Sequence, residues 1–168
     1  MNHAEELETS IMEKVSPIGF QVADGKSAKD LAGEAQGMRL GPIVERWLED
    51  PDFPMERETS WQELVPVVLE RDMTEEEVLE LLKRRGLERP VSEDVLRAAV
   101  FYPNRLEGLE IVFPHNPHDA RWEGRVHKII LGFEFDLGEC ALLAYNLASP
   151  ETFKAGKVVL ARCPAHKS

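Results

Sequence analysis

Residues 59–70, "TSWQELVPVVLE", decide the fold, because which surfaces they bury depends on whether they form a helix or a strand. Trp61, Leu64, Val65, Val68 and Leu69 fall at i, i+3, i+4, i+7 and i+8, one face of an amphipathic helix. Ser60 and Glu63 have the spacing of a capping box at its start. Pro66 opposes this, since it removes a backbone donor and should kink or shorten a helix. The apolar spacing nevertheless predicts a short helix here.

Two more helices are expected downstream. Thr74 and Glu77 form a second capping box ahead of Val78, Leu81 and Leu82, with Lys83, Arg84 and Arg85 in the last turn and Gly86 as the stop. Ser92 caps a third helix, with Glu93 and Asp94 in its first turn, Val95, Leu96, Ala99 and Val100 apolar, and Pro103 as terminator. Residues 59–107 are thus expected to be a three-helix segment.

On the upstream side, residues 1–58 are an acidic segment with short helices. Leu7, Ile11 and Val15 recur every four residues, and Pro42 can start a helix that stacks Ile43 on Trp47. Between them Ile18, Phe20 and Val22 alternate as a short strand ending in the Asp24-Gly25 turn signal. "DPDFPMERE", residues 50–58, has the composition of a linker.

Downstream, period two takes over. "LEIVF", "VHKIILGFEFD" and "GKVVLARC" are strands, the second with Ile129, Leu131, Phe133 and Phe135 on one face. "ECALLAYNLAS" is ambiguous, but the preceding "DLG" favours a hairpin and a further strand. Residues 108–168 are therefore expected to be an antiparallel β meander forming one unit with 59–107. The fold class expected is α+β, a helix-rich N-terminal part with a small C-terminal antiparallel sheet.

Composition narrows the classes. The 168 residues are 43% hydrophobic and 30% charged, which excludes disordered, collagenous and membrane-spanning chains. The opening "MNHAEELETS" lacks the order of a signal peptide, so the cytoplasm is the expected location, and Cys140 and Cys163 are expected to be small buried hydrophobes there. Of the net charge of −11, residues 1–58 carry 13 acids against 6 bases, a balance of −7. Such a field disfavours nucleic acid and anionic lipid, and favours a protein partner with a basic or apolar surface.

Catalytic signatures are scarce. "FPHNPHDARWEGRVH", residues 113–127, gathers His115, His118 and His127 around one expected hairpin, with Asp119 or Glu123 able to add an oxygen ligand or act as a base. This is the alternative of a metal-assisted enzyme holding a divalent metal; the ordinary explanation is a hydrogen-bonded polar loop. A zinc set of His115, His118, Cys163 and His166 is disfavoured, because an up-and-down meander would put His115 and Cys163 at opposite edges of the sheet. No phosphate-binding glycine loop or nucleophile elbow is present, and no cofactor is expected.

"MTEEEVLELLKRRGLERPVSEDVLRAAVFY", residues 73–102, resembles a bacterial family of antitoxin-like helix-turn-helix domains of unknown function. The resemblance implies DNA binding, for which Arg84, Arg85, Arg89, Arg97 and Arg105 could make a basic strip. Glu93 and Asp94 count against it, since a recognition helix presents its first turn to phosphates. The expected function is instead a non-catalytic regulatory or protein-interaction module, with Trp47 and Phe53 as apolar anchors beside Glu45 and Glu49.

Overall fold

The computed structural model describes residues 5–6, 15–35, 38–101, 110–116, 118–122, 124–136, 139–146 and 152–164. In chain order the elements are β1 (Ile18–Val22), α1 (Ala28–Glu34), β2 (Met38–Leu40), α2 (Pro42–Leu48), β3 (Ser60–Val68), β4 (Met73–Thr74), α3 (Glu75–Arg84) and α4 (Ser92–Phe101). They continue with β5 (Glu110–Val112), β6 (His118–Trp122), β7 (Arg125–Asp136), β8 (Glu139–Asn146), β9 (Thr152–Phe153) and β10 (Val158–Cys163).

The fold class expected from the sequence is overturned. A curled mixed sheet in the order β1-β3-β10-β5-β7-β8-β2, with β6 paired to β7, organises the molecule, and a small β4-β9 ribbon accompanies it. The N-terminal part is not a helical body beside a small sheet; β1 and β2 are the two ends of that sheet. Nor is the C-terminal part a simple meander. β5, β7 and β8 are antiparallel neighbours, but β10 returns to lie between β3 and β5, parallel to β5, and β2 runs parallel to β8.

The segment at 59–70 is the source of the error. It is strand β3, and its apolar residues divide between two faces: Leu64 and Val68 enter one core, Val67 and Leu69 the other. A strand buried on both sides loses the alternation that identifies a half-buried one, and a continuous run such as Val67-Val68-Leu69 then mimics a helical stripe. Pro66 is tolerated because β1 pairs only with Ser60 through Leu64, so at Pro66 the strand has a single neighbour, β10.

Two cores sandwich the sheet. On one face Val158, Leu160, Ile111, Ile129, Leu131 and Phe133 meet Leu31 of α1, Val44 and Trp47 of α2, and Val95, Leu96 and Ala99 of α4. On the other face Val67, Val159, Ala161, Val112 and Ile130 meet Val78 and Leu82 of α3, with Met73 and Phe153 of the ribbon. Each aliphatic side chain buried in such a layer contributes on the order of 1.5–3 kcal/mol.

The expected helix at Thr74 is present, with both hydrogen bonds of its capping box, and Gly86 at φ +71° ends it as Leu87 N–H reaches back to Leu82 O at 2.9 Å. The ambiguous residues 139–146 are strand. Of the helix expected over 4–15, only residues 5–6, which are helical, and Val15 lie within the description.

Candidate functional site

A furrow runs the length of α1. Its first half, about 430 Å3, is lined by Lys29, Ala32 and Gly33 of α1, Leu40 of β2, and Glu45, Leu48 and Glu49 at α2. Its second half, about 460 Å3, continues past Glu49 and Asp50 to Pro51, Phe53 and Met55. The floor is apolar, from Ala32, Leu40, Leu48 and Met55, while Glu45 and Glu49 stand exposed on the rim with Lys29 opposite. α1 begins at Ser27, whose side chain accepts from Asp30 N–H, and α2 begins at Pro42, whose fixed φ suits a first helical turn.

Beyond Ser27 and Met55 the furrow opens into a third hollow, about 430 Å3, which reaches Glu56, Arg57, Glu93 and Arg97. Here a chain of ion pairs joins four separate segments, the Asp24 turn, the Glu56 loop, α4 and β10. Arg97 donates to both oxygens of Asp24 at 2.8 and 2.9 Å and to Glu93 Oε2 at 3.3 Å, and Glu93 Oε1 accepts from Glu56 N–H at 2.8 Å. Arg162 of β10 donates to both oxygens of Asp94 and to Glu56 Oε1. Hydrogen bonds from Arg97 hold the Asp24 carboxyl well below the usual carboxylate range, whereas burial pushes Glu93 and Asp94 upward against their arginine partners. The turn that delivers Asp24 is shaped by Ala23, which adopts φ +57°.

Glu45 and Glu49 do line the furrow. Trp47 and Phe53 are 4% and 6% exposed, with ring centroids 4.7 Å apart, so they support the furrow from inside the core and offer little surface to a partner. Glu93 and Asp94, expected as first-turn acids, and Arg97, expected in the basic strip, instead lie on a helix buried from Ser92 to Ala99. The available signal was Arg162, a cation ending the apolar run "VVLA".

Of the basic strip, Arg97 is turned into ion pairs with Asp24 and Glu93, and Arg105 lies outside the described residues. Arg84 and Arg85 are exposed at the end of α3, but Arg89 is spent on Glu75 at 2.6 Å, on Asn116 and on Pro114 O. The two helices behind the antitoxin resemblance bury their apolar residues on opposite faces of the sheet, α3 in one core and α4 in the other.

The histidine loop is also rearranged. His115 is fully buried; its Nε2 accepts from Leu131 N–H at 2.9 Å, which places the ring proton on Nδ1, 2.7 Å from Asn116 O. Both nitrogens thus serve the fold. His118 stands opposite Ile129 and His127 opposite Ala120 in the β6-β7 hairpin; their side chains, Glu123 and His166 lie outside the described residues. Asp119 pairs with Lys128 across that hairpin. The expected separation of His115 and Cys163 is wrong, because β10 beside parallel β5 brings both to the same end of those strands. Among the described residues no three His, Cys, Asp or Glu side chains form a metal-holding group, and no helix is long and apolar enough to cross a membrane.

Comparison with protein families, curated proteins and solved structures gives no match to this chain.

Proposed function

We propose that the protein is an interaction module whose α1–α2 furrow binds a segment of another protein that is both apolar and basic. The observation that carries this reading is the pairing of an apolar floor, Ala32, Leu40 and Leu48, with the exposed carboxylates Glu45 and Glu49 on one rim. Apolar contact supplies affinity there, and the acidic rim, within a chain of net charge −11, steers a cationic partner and rejects an acidic one. The ion pairs around Arg97 and Glu93 keep one end of the furrow in shape.

The test uses a fluorescein-labelled amphipathic peptide of leucine and lysine, and a leucine–glutamate counterpart, titrated into the full chain. The lysine peptide should bind with salt-sensitive, micromolar-range affinity, and the glutamate peptide should not. The Glu45→Lys/Glu49→Lys variant should lose about tenfold or more in affinity, as expected when like charges replace complementary ones. Equal binding by parent and reversed variant would sink the reading.

A further inference from the structure

We infer that β1 is a docking edge that accepts an extended segment of another protein as an added strand, one whose side chains alternate between apolar and cationic. This rests on observations separate from the furrow. β1 ends the sheet and pairs with β3 alone. Among the described residues, Ile18 through Val22 make no backbone hydrogen bond other than those to β3, so their outer row of donors and acceptors has no partner among those residues. Edge strands are ordinarily guarded by charge, proline or a bulge. "IGFQV" contains neither a charge nor a proline.

The two most telling exposed aromatics flank this same strand from opposite faces. On one face Phe101, 43% exposed at the end of α4, lies with its ring 6.4 Å from that of Phe20. On the other face Trp61 is 60% exposed and lies over Gly19 so closely that a Cβ there would come within 2.5 Å of Cζ2. Gly19 therefore permits the indole to lie flat on the strand, and a hydrogen bond from Nε1 to Glu63 Oε1 at 3.3 Å holds it. An aromatic covering an edge glycine is itself a way to secure a sheet edge. That role alone leaves the outer side of the ring in water.

An added strand would cover both aromatics at once, because successive side chains point to opposite faces. Positions beside Phe20 and Phe101 meet an apolar shelf. Positions beside Trp61 meet an indole face with a carboxylate next to it, which suits an arginine stacked on the ring and paired with Glu63. A second copy of this chain fits less well: its own β1 would bring only Gly19 and Gln21 to the Trp61 face, and both copies carry −11.

The experiment follows backbone amide exchange in the full chain on addition of a blocked peptide of alternating valine and arginine. Controls are a valine–glutamate peptide and the valine–arginine peptide N-methylated at every second residue. Slowed exchange confined to β1 and β3, given by the unmodified peptide alone, is the expected result. Trp61→Ala should weaken binding about tenfold and Glu63→Gln by a smaller factor, the size expected for a stacked cation. Binding should persist in Glu45→Lys/Glu49→Lys, which separates this edge from the furrow. The inference is overturned if the N-methylated peptide binds equally well, if protection falls elsewhere, or if the protein alone self-associates with its β1 amides already protected.

Discussion

Asp94 and Arg162 meet as a two-pronged pair, Arg162 Nε donating to Asp94 Oδ2 at 2.6 Å and Nη2 to Oδ1 at 2.9 Å, with the Asp94 side chain fully enclosed. The pair ties the start of α4 to β10, and Asp94 also accepts Val91 N–H at 2.8 Å. Removing Asp94 leaves Arg162, 11% exposed, with Glu56 at 3.2 Å as its remaining carboxylate partner. Asp94→Ala should therefore cost about 3–5 kcal/mol in urea unfolding, and Asp94→Leu/Arg162→Met should recover most of that loss. Arg162→Lys should not behave as a conservative change, since an ammonium cannot fill both prongs.

The acid limb of the stability profile has two opposing contributions. Asp24 is held low by Arg97, so its folded state binds protons more weakly than the unfolded chain. Its stabilisation is fully present above the unfolded carboxylate range near pH 4 and fades as the pH falls below it. Glu93 is pushed up by burial, so its proton is held more tightly in the folded state. Its contribution is present below the unfolded glutamate value and declines as pH rises through the raised one. Denaturation measured across pH should show Asp24→Asn flattening the profile as the pH falls below about 4. Relative to the parent, Glu93→Gln should gain stability as pH rises from about 4.5.

Two residues with the same sequence signature should respond differently. Thr74 Oγ1 accepts from Glu77 N–H at 3.2 Å and Glu77 returns the bond to Thr74 N–H at 3.0 Å, whereas Ser60 begins a strand and bonds the Gln62 side chain. Thr74→Ala should lose about 1 kcal/mol in thermal or chemical unfolding, and Ser60→Ala should stay within about 0.5 kcal/mol of the parent. An equal loss at both sites would contradict the strand assignment of Ser60.

Those two boxes also mark what the sequence could and could not convey. Local signals were legible where one residue decides a local event, such as the Thr74 cap, the Gly86 stop and the Asp24-Gly25 turn. The failures came from tertiary context. Burial of the second half of β3 on both faces erased its period there, and the placement of β10 between β3 and β5 is a long-range pairing that no local spacing records. At the candidate site, Glu45 and Glu49 were legible as surface charge. The partners of Glu93, Asp94 and Arg97 were not, because Asp24 lies 73 residues from Arg97 and Arg162 lies 68 from Asp94. The furrow itself is a space between α1 and α2, which only their packing creates.

The position of β10 has a consequence for how the chain is made. All the other named strands precede it in sequence, yet it sits between β3 and β5 and closes both cores through Val158, Val159, Leu160 and Ala161. On the ribosome, at about 5–20 residues per second, β3 and β5 emerge long before the strand that joins them. Until residues 158–163 leave the exit tunnel, the flanks of β3 and β5 that β10 will occupy stay unpaired, so the closure of both cores waits on a slow, long-range pairing.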